Sequence, residues 1–143
     1  MANPTSIGPG PGNLAVESDI KEALATEAIS EGEVLAITTA LGTSSFEVSL
    51  ADRGTPAISC AVAVAAEDIA IGVWGKVYVG GYCPKVLTDG SVAVGEFLIP
   101  ADAVPGEADT FAAGSEHLVF GYALSTDAGT PDACDAILFR RGL

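Results

Sequence analysis

The sequence predicts an all-β protein, a small barrel of short antiparallel strands preceded by a flexible segment. Apolar and polar residues alternate through much of the chain, as in residues 76–100, "KVYVGGYCPKVLTDGSVAVGEFLIP". Such alternation is typical of strands that bury one face. Clusters of Gly, Pro, Asp and Ser separate these segments at spacings of roughly 8–12 residues, which favours a barrel or sandwich. No convincing amphipathic-helix pattern is present.

The N-terminal segment, residues 1–18, is predicted to be a flexible arm, and residues 19–143 a single β-barrel domain. Ile7, Leu14 and Val16 are the few apolar residues of the arm and would contact a partner if the arm orders on one. The alternative is a tail without a role. Neither helix nor sheet tolerates the density of proline and glycine that this segment carries at Pro4, Gly8, Pro9, Gly10, Pro11 and Gly12.

The elements that follow the arm are mostly predicted strands. Residues 18–27, "SDIKEALATE", fit either one short helical turn or a first strand. The segments with strand-like alternation are, in order, "GEVLAIT", "SFEVSLA", "AISCAVAVA", "GKVYVGG", "CPKVL", "SVAVGEFLI", "HLVFGYAL" and "CDAILFR".

A short pattern repeats before three of these strands. An apolar residue is followed three positions later by glycine in Ile29–Gly32, Ile69–Gly72 and Val92–Gly95. Glycine at such a place indicates a tight turn that needs positive φ or close approach of the backbone. In addition, "AVAVAAEDIA" and "FGYALSTDAG" both run from an apolar strand into an acidic turn. These similarities predict two or more related hairpin units within the barrel.

The dipeptide Asp89-Gly90 predicts the clearest hairpin. It lies between "PKVLT" and "SVAVG". A two-residue type I′ loop favours Asn or Asp followed by Gly, because both positions require positive φ.

The composition restricts the possible partners. The chain has 143 residues, with 19 acidic and 6 basic side chains and a formal net charge of −13. Such a surface repels phosphate, which argues against direct binding to nucleic acid or to anionic membranes. The charge suits either high solubility or a basic partner. Apolar residues make up 49% of the chain but aromatic ones only 6%, so part of the apolar surface is expected to face partners.

The three cysteines, Cys60, Cys83 and Cys134, are odd in number and far apart in the sequence. This spacing argues against a disulfide framework and against a zinc site. Each has apolar neighbours, so we expect small buried side chains that stay reduced, in a reducing compartment. The N-terminus lacks the apolar core of a signal peptide, and no apolar run is long enough to span a membrane.

The search for catalytic residues finds none. His117 is the single histidine, and we expect it at a strand start beside Glu116 with a structural role. Gly75-Lys76 resembles the end of a phosphate loop but lacks the required first glycine and hydroxyl residue, so a turn entering a strand is favoured. The carboxylates lie in turns without calcium-loop spacing. The sequence therefore predicts no enzyme activity, no metal and no cofactor.

Trp74 is the only tryptophan. Its ring is expected either to be buried or to anchor a subunit interface. Because so few aromatic residues are available to fill one small core, we expect an oligomer that forms through apolar faces.

Three stretches together resemble the small capsid decoration, or cement, proteins of tailed bacteriophages. They are "ATEAISEGEVLAI", "AVAVAAEDIAIGVWGKVYVGGYCPKVLTDGSVAVGEFLIPADA" and "VFGYALSTDAGTPDACDAILFRRGL". The resemblance rests on the order and spacing of the glycine-turned strands, covers roughly residues 25–141, and implies a barrel or β-tulip fold.

The resemblance also implies a function. Such proteins usually form homotrimers outside the phage head and clamp neighbouring capsomers of the major capsid protein, and their flexible arm reaches the shell. It implies a virion protein on the outer capsid surface, made in the host cytoplasm, with Ile7, Leu14 and Val16 in the capsid-contact arm and Trp74 at the oligomer interface. The alternatives are another phage tail or fibre component and a small ligand-binding or enzymatic barrel.

Overall fold

The computed structural model describes residues 17–43 and 45–139, which form one nine-stranded sheet. This part of the chain contains no α-helix, only two short 3₁₀ turns at Pro56–Ile58 and Glu116–Leu118. The prediction of an all-β fold is confirmed. The strands are β1 (Ser18–Ala25), β2 (Val34–Ile37), β3 (Glu47–Leu50), β4 (Ala63–Ala65), β5 (Trp74–Leu87), β6 (Phe97–Pro100), β7 (Ala108–Thr110), β8 (Gly121–Ala123) and β9 (Ala133–Leu138).

The first five strands pair in a ring. β1 pairs in parallel with β3 and antiparallel with β5, and the intermediate neighbours are β2 and β4. Alanine and valine make up most of the interior. The buried cluster consists of Ala23, Ala25, Ile29, Leu35, Val48, Ala63, Ala65, Ile69, Val77 and Val79.

The other four strands extend the sheet from the second half of β5. β9 pairs with β5 from Gly81 to Leu87, and β8, β6 and β7 follow in that order. A single parallel bridge between Thr88 and Ala108 leads from β7 back to the end of β5. β5 has 14 residues and therefore takes part in both groups of strands.

The beginning of the domain is a strand. Residues 18–25 form β1, which settles the open choice between helix and strand, and Ser18 lies opposite Gly81. Ser18 therefore belongs to the sheet rather than to the arm. The rest of the predicted arm up to residue 16, including Ile7, Leu14 and Val16, lies outside the described residues.

The repeated glycine turns are confirmed, and each makes the same contacts. Gly32, Gly72 and Gly95 all have positive φ, between 76° and 91°. Each donates its N–H to the carbonyl of an alanine at a strand end: Gly32 to Ala65 at 2.9 Å, Gly72 to Ala25 at 2.8 Å and Gly95 to Ala123 at 2.8 Å. The residue after each glycine accepts the N–H of the same alanine. Each turn is therefore held by two backbone hydrogen bonds to the last residue of a strand, which is β4, β1 or β8 respectively.

The predicted Asp89-Gly90 hairpin is wrong. The strands on either side, β5 and β6, do not pair with each other, since β6 pairs with β7 and β8. The Asp89 carboxylate instead accepts the N–H of Ser91 at 3.0 Å and its hydroxyl at 2.6 Å. The buried Val92 side chain then draws the chain into the core, so residues 89–96 form a loop.

Strand bounds also differ from the predictions. The two predicted strands at residues 75–81 and 83–87 are one continuous strand, and β7 was not predicted. His117 lies in a 3₁₀ turn rather than at a strand start. Local alternation cannot show these differences, because each depends on which strand lies alongside.

Candidate interaction surface

An aromatic cluster lies on the outer face of β6, β8 and β9. Phe97 is paired directly with Tyr122 across β6 and β8. Phe139 follows β9, and its ring centre lies 6.4 Å from that of Phe97 and 6.0 Å from that of Tyr122, both in tilted arrangements. These are distances at which aromatic rings attract each other. The chain has only five Phe, three Tyr and one Trp, so this cluster contains a third of its aromatic side chains.

A shallow groove of about 440 Å³ runs along this cluster. Phe97, Phe111 and Phe139 are 50%, 39% and 38% exposed, although phenylalanine is usually buried. The groove lies at the open edge where β7 ends. Its lining consists of Phe97, Phe111, Glu116, Val119 and Phe139. We call this surface the aromatic groove.

The local sequence explains why these rings point outward. In β6, Leu98 and Ile99 are fully buried while Phe97 is exposed. Successive side chains of a strand point to opposite faces, so an uninterrupted apolar run places apolar groups on both faces. The uninterrupted apolar run "FLI" is thus a sequence signal that this strand carries apolar side chains on both of its faces.

The aromatic face continues across the sheet to the beginning of β1. Tyr122 is paired with Ile137, and Ile137 with Tyr82 on β5. Tyr82 in turn contacts the first described residues, because its N–H donates to the carbonyl of Glu17 at 3.2 Å and its carbonyl accepts the Ser18 hydroxyl at 2.7 Å. The described chain therefore begins beside this row of side chains.

Trp74 is the first residue of β5, in the ring that strands β1 to β5 form. It is 48% exposed, so the expectation of a buried ring is wrong. Ile71 and Val73, in the preceding turn, are also exposed. Gly75 is buried, and a Cβ atom added there would lie 2.5 Å from Cγ1 of Ile69. Gly75-Lys76 is therefore a strand position adapted to Ile69 and not part of a phosphate loop.

Many of the turn carboxylates bind backbone rather than only providing charge. Glu33 accepts the N–H of Ser30 at 2.6 Å, and Glu96 accepts the N–H of Ala93 at 2.7 Å in the equivalent turn. Glu67 accepts the N–H of Lys76 at 2.8 Å. Burial raises the pKa of Glu33, and repulsion from nearby carboxylates adds to the effect, while the Ser30 N–H opposes it. These turn carboxylates therefore hold the backbone of the turns in addition to contributing to the negative charge of the surface.

Glu47 is the charged side chain that the described structure buries, at 1% exposure. Its carboxylate accepts the N–H of Leu41 at 2.8 Å, the N–H of Thr43 at 2.6 Å and the Thr43 hydroxyl at 2.5 Å. The Thr43 hydrogen bonds hold the pKa of Glu47 below its ordinary value. This carboxylate therefore organises the loop between β2 and β3.

The cysteines are all free. Cys83 and Cys134 are buried as expected, whereas Cys60 is exposed, because it lies in the irregular segment between the first 3₁₀ turn and β4. Burial raises the pKa of the Cys83 thiol to about 12 and that of Cys134 to about 11.

Candidate chemistry is sparse in the part of the chain that the structure describes. No group of three or more His, Cys, Asp or Glu side chains there could hold a metal ion. His117 is exposed next to Glu116, whose pKa is lowered by backbone N–H groups, first its own and then that of Gly114. No helix in the described ranges is both long enough and apolar enough to traverse a bilayer.

Comparison with known proteins adds one informative likeness. No family model matches the chain, and no curated protein matches it either. Among solved structures, the chain is similar to the head fiber gp8.5 N base of bacteriophage phi29, with a TM-score of 0.63 and 22% sequence identity. The match covers 89% of this chain and 98% of that one. The chain therefore shares its fold with that head fiber base.

Proposed function

We propose that this protein is a structural component of a bacteriophage virion, bound to the outer surface of the head, where it stabilises the shell by clamping neighbouring capsomers. The observation that carries the proposal is the shared fold with the phi29 head fiber base over nearly the full length of both chains. The resemblance of residues 25–141 to phage decoration proteins supports the same class. The partner would be the major capsid protein, and no catalytic role is proposed.

The physical basis of clamping is mass action. A protein that binds the assembled shell but not its separated subunits stabilises the shell by its binding free energy. A homotrimer with Trp74 at its subunit interface would present three linked contacts, which raises the effective concentration of the second and third. The arm residues Ile7, Leu14 and Val16 would contact the shell. A net charge of −13 keeps many copies soluble in the host cytoplasm before assembly.

A second candidate is the base of a head fibre. It is favoured by the same likeness, since that module is described as the base of a fibre. The two functions differ in consequence: a clamp fills many equivalent sites and strengthens the shell, whereas a fibre base occupies sites without any need to strengthen it.

The test is to add purified protein to heads that lack it. Cryo-electron microscopy would count the occupied sites, and heating the heads with and without the protein would report shell stability. Clamping predicts density between capsomers and a higher temperature of shell disruption. Bound protein without a change in shell stability would favour the fibre base. Absence of binding, or a small molecule retained in native mass spectrometry, would favour the ligand-binding or enzymatic barrel.

A further inference from the structure

The aromatic groove is uncovered in the described part of the chain, and its charge limits what can cover it. Of its lining residues only Glu116 is charged. The chain as a whole carries a net charge of −13, so an acidic segment would be repelled from this surface. An uncharged, conformationally restricted segment suits the groove better.

The chain contains such a segment outside the described residues. Residues 1–16 have no charged side chain, and three of them are proline, at Pro4, Pro9 and Pro11. Proline-rich segments favour the polyproline II conformation and dock into grooves lined by aromatic rings, at a reduced cost in conformational entropy. The chemistry of the groove and that of the segment are therefore complementary.

The distances also agree. The segment joins the described structure at Glu17, beside Tyr82. From Glu17 to Phe97 the row crosses four strand-to-strand steps, or about 19 Å. Pro11 and Pro9 precede Glu17 by six and eight residues, which in polyproline II conformation span about 19–25 Å. The prolines can therefore reach the groove of their own chain.

We propose that in the free protein the aromatic groove binds the Pro9–Pro11 segment of the same chain. The covalent connection supplies an effective concentration in the millimolar range, so even a weak contact is populated. In the free protein the arm is then bound to the aromatic groove. It must leave the groove before it makes the contact with the shell that is proposed above. This inference goes beyond the proposed function and does not depend on it, because it concerns the protein without heads.

The test is nuclear magnetic resonance on the full-length, isotopically labelled protein. Nuclear Overhauser effects are expected between protons of Pro9 or Pro11 and the rings of Phe97, Phe111 and Phe139. The effects on the Phe97 and Phe139 rings should be lost in Phe111→Ala. In the double variant Pro9→Ala/Pro11→Ala, which changes no residue of the described domain, the ring resonances of all three phenylalanines should shift. The matched control is Val94→Ala, because Val94 is 60% exposed and does not line the groove.

Three results would overturn the proposal. The first is an arm with random-coil chemical shifts and no such effects in the native chain. The second is effects that persist unchanged in Phe111→Ala. The third is a mixture of labelled and unlabelled chains in which the effects arise only between molecules, which would assign the groove to the arm of another copy.

Discussion

At the scale of the residue, the buried Glu47 carboxylate makes stability depend on pH. Its folded pKa is lowered, so the unfolded chain binds a proton more readily, and the stabilising contribution is lost as pH falls through the folded pKa. We expect Glu47→Gln to lower the melting temperature at pH 7, and the difference from the native chain to shrink below about pH 4. Calorimetry at both pH values measures this. Glu22→Gln, at an exposed position of β1, is the control and should change neither value.

The cysteines should differ in reactivity, because only the thiolate reacts quickly. Burial keeps Cys83 and Cys134 protonated, whereas Cys60 is exposed. Under native conditions at pH 8, a thiol reagent followed by mass spectrometry should therefore modify Cys60 first. Cys83→Ser should cost about 1–2 kcal/mol of stability at most. Loss of folding in that variant, or equal labelling of all three thiols, would contradict this assignment.

At the scale of the element, the junction between the Ile69–Gly72 turn and β5 depends on a missing side chain. A methyl group at Gly75 would collide with Ile69, which is itself buried. We expect Gly75→Ala to destabilise the protein by about 1–3 kcal/mol, the usual cost of overpacking. Denaturant unfolding measures it. In a double-mutant cycle with Ile69→Ala, the Gly75 substitution should cost clearly less; equal costs in both backgrounds would disprove the proposed collision.

At the scale of the whole molecule, Trp74 is expected to lie in a trimer interface. A large, half-exposed aromatic ring beside other exposed apolar side chains is the kind of residue that anchors such contacts. Sedimentation velocity at micromolar concentration should show a trimer for the native chain and a monomer for Trp74→Glu. Val104→Glu, at another exposed apolar position, should remain trimeric. A monomeric native protein would refute the prediction.

Deletion of residues 2–14 tests the arm. The folded domain described from residue 17 onward should keep its fold and its oligomeric state. Binding to heads should weaken at least by an order of magnitude if Ile7 and Leu14 contact the shell. Occupancy should be compared at limiting protein concentration, and equal occupancy of both forms would show that the arm does not contribute.

The aromatic groove was predicted least well from the sequence. The strand-like patterns of "FGYAL" and "ILF" were visible, but alternation does not reveal which strands are neighbours. Phe97 and Tyr122 come together because β6 pairs with β8, and Phe111 and Phe139 join them only once β7 and β9 are in place. The composition predicted only that some apolar surface would face outward, and it did not indicate where.

The sequence by itself determined the all-β class, the acidic surface and the turns at Gly32, Gly72 and Gly95. Each of these follows from local causes: side-chain alternation, charge, and the positive φ that glycine adopts without strain. Tertiary structure alone decided that β5 joins two groups of strands, that Asp89-Gly90 lies in a loop, and that Trp74 and Phe97 face outward. These outcomes depend on contacts between residues distant in sequence, and local propensity does not encode which distant strand completes a ladder.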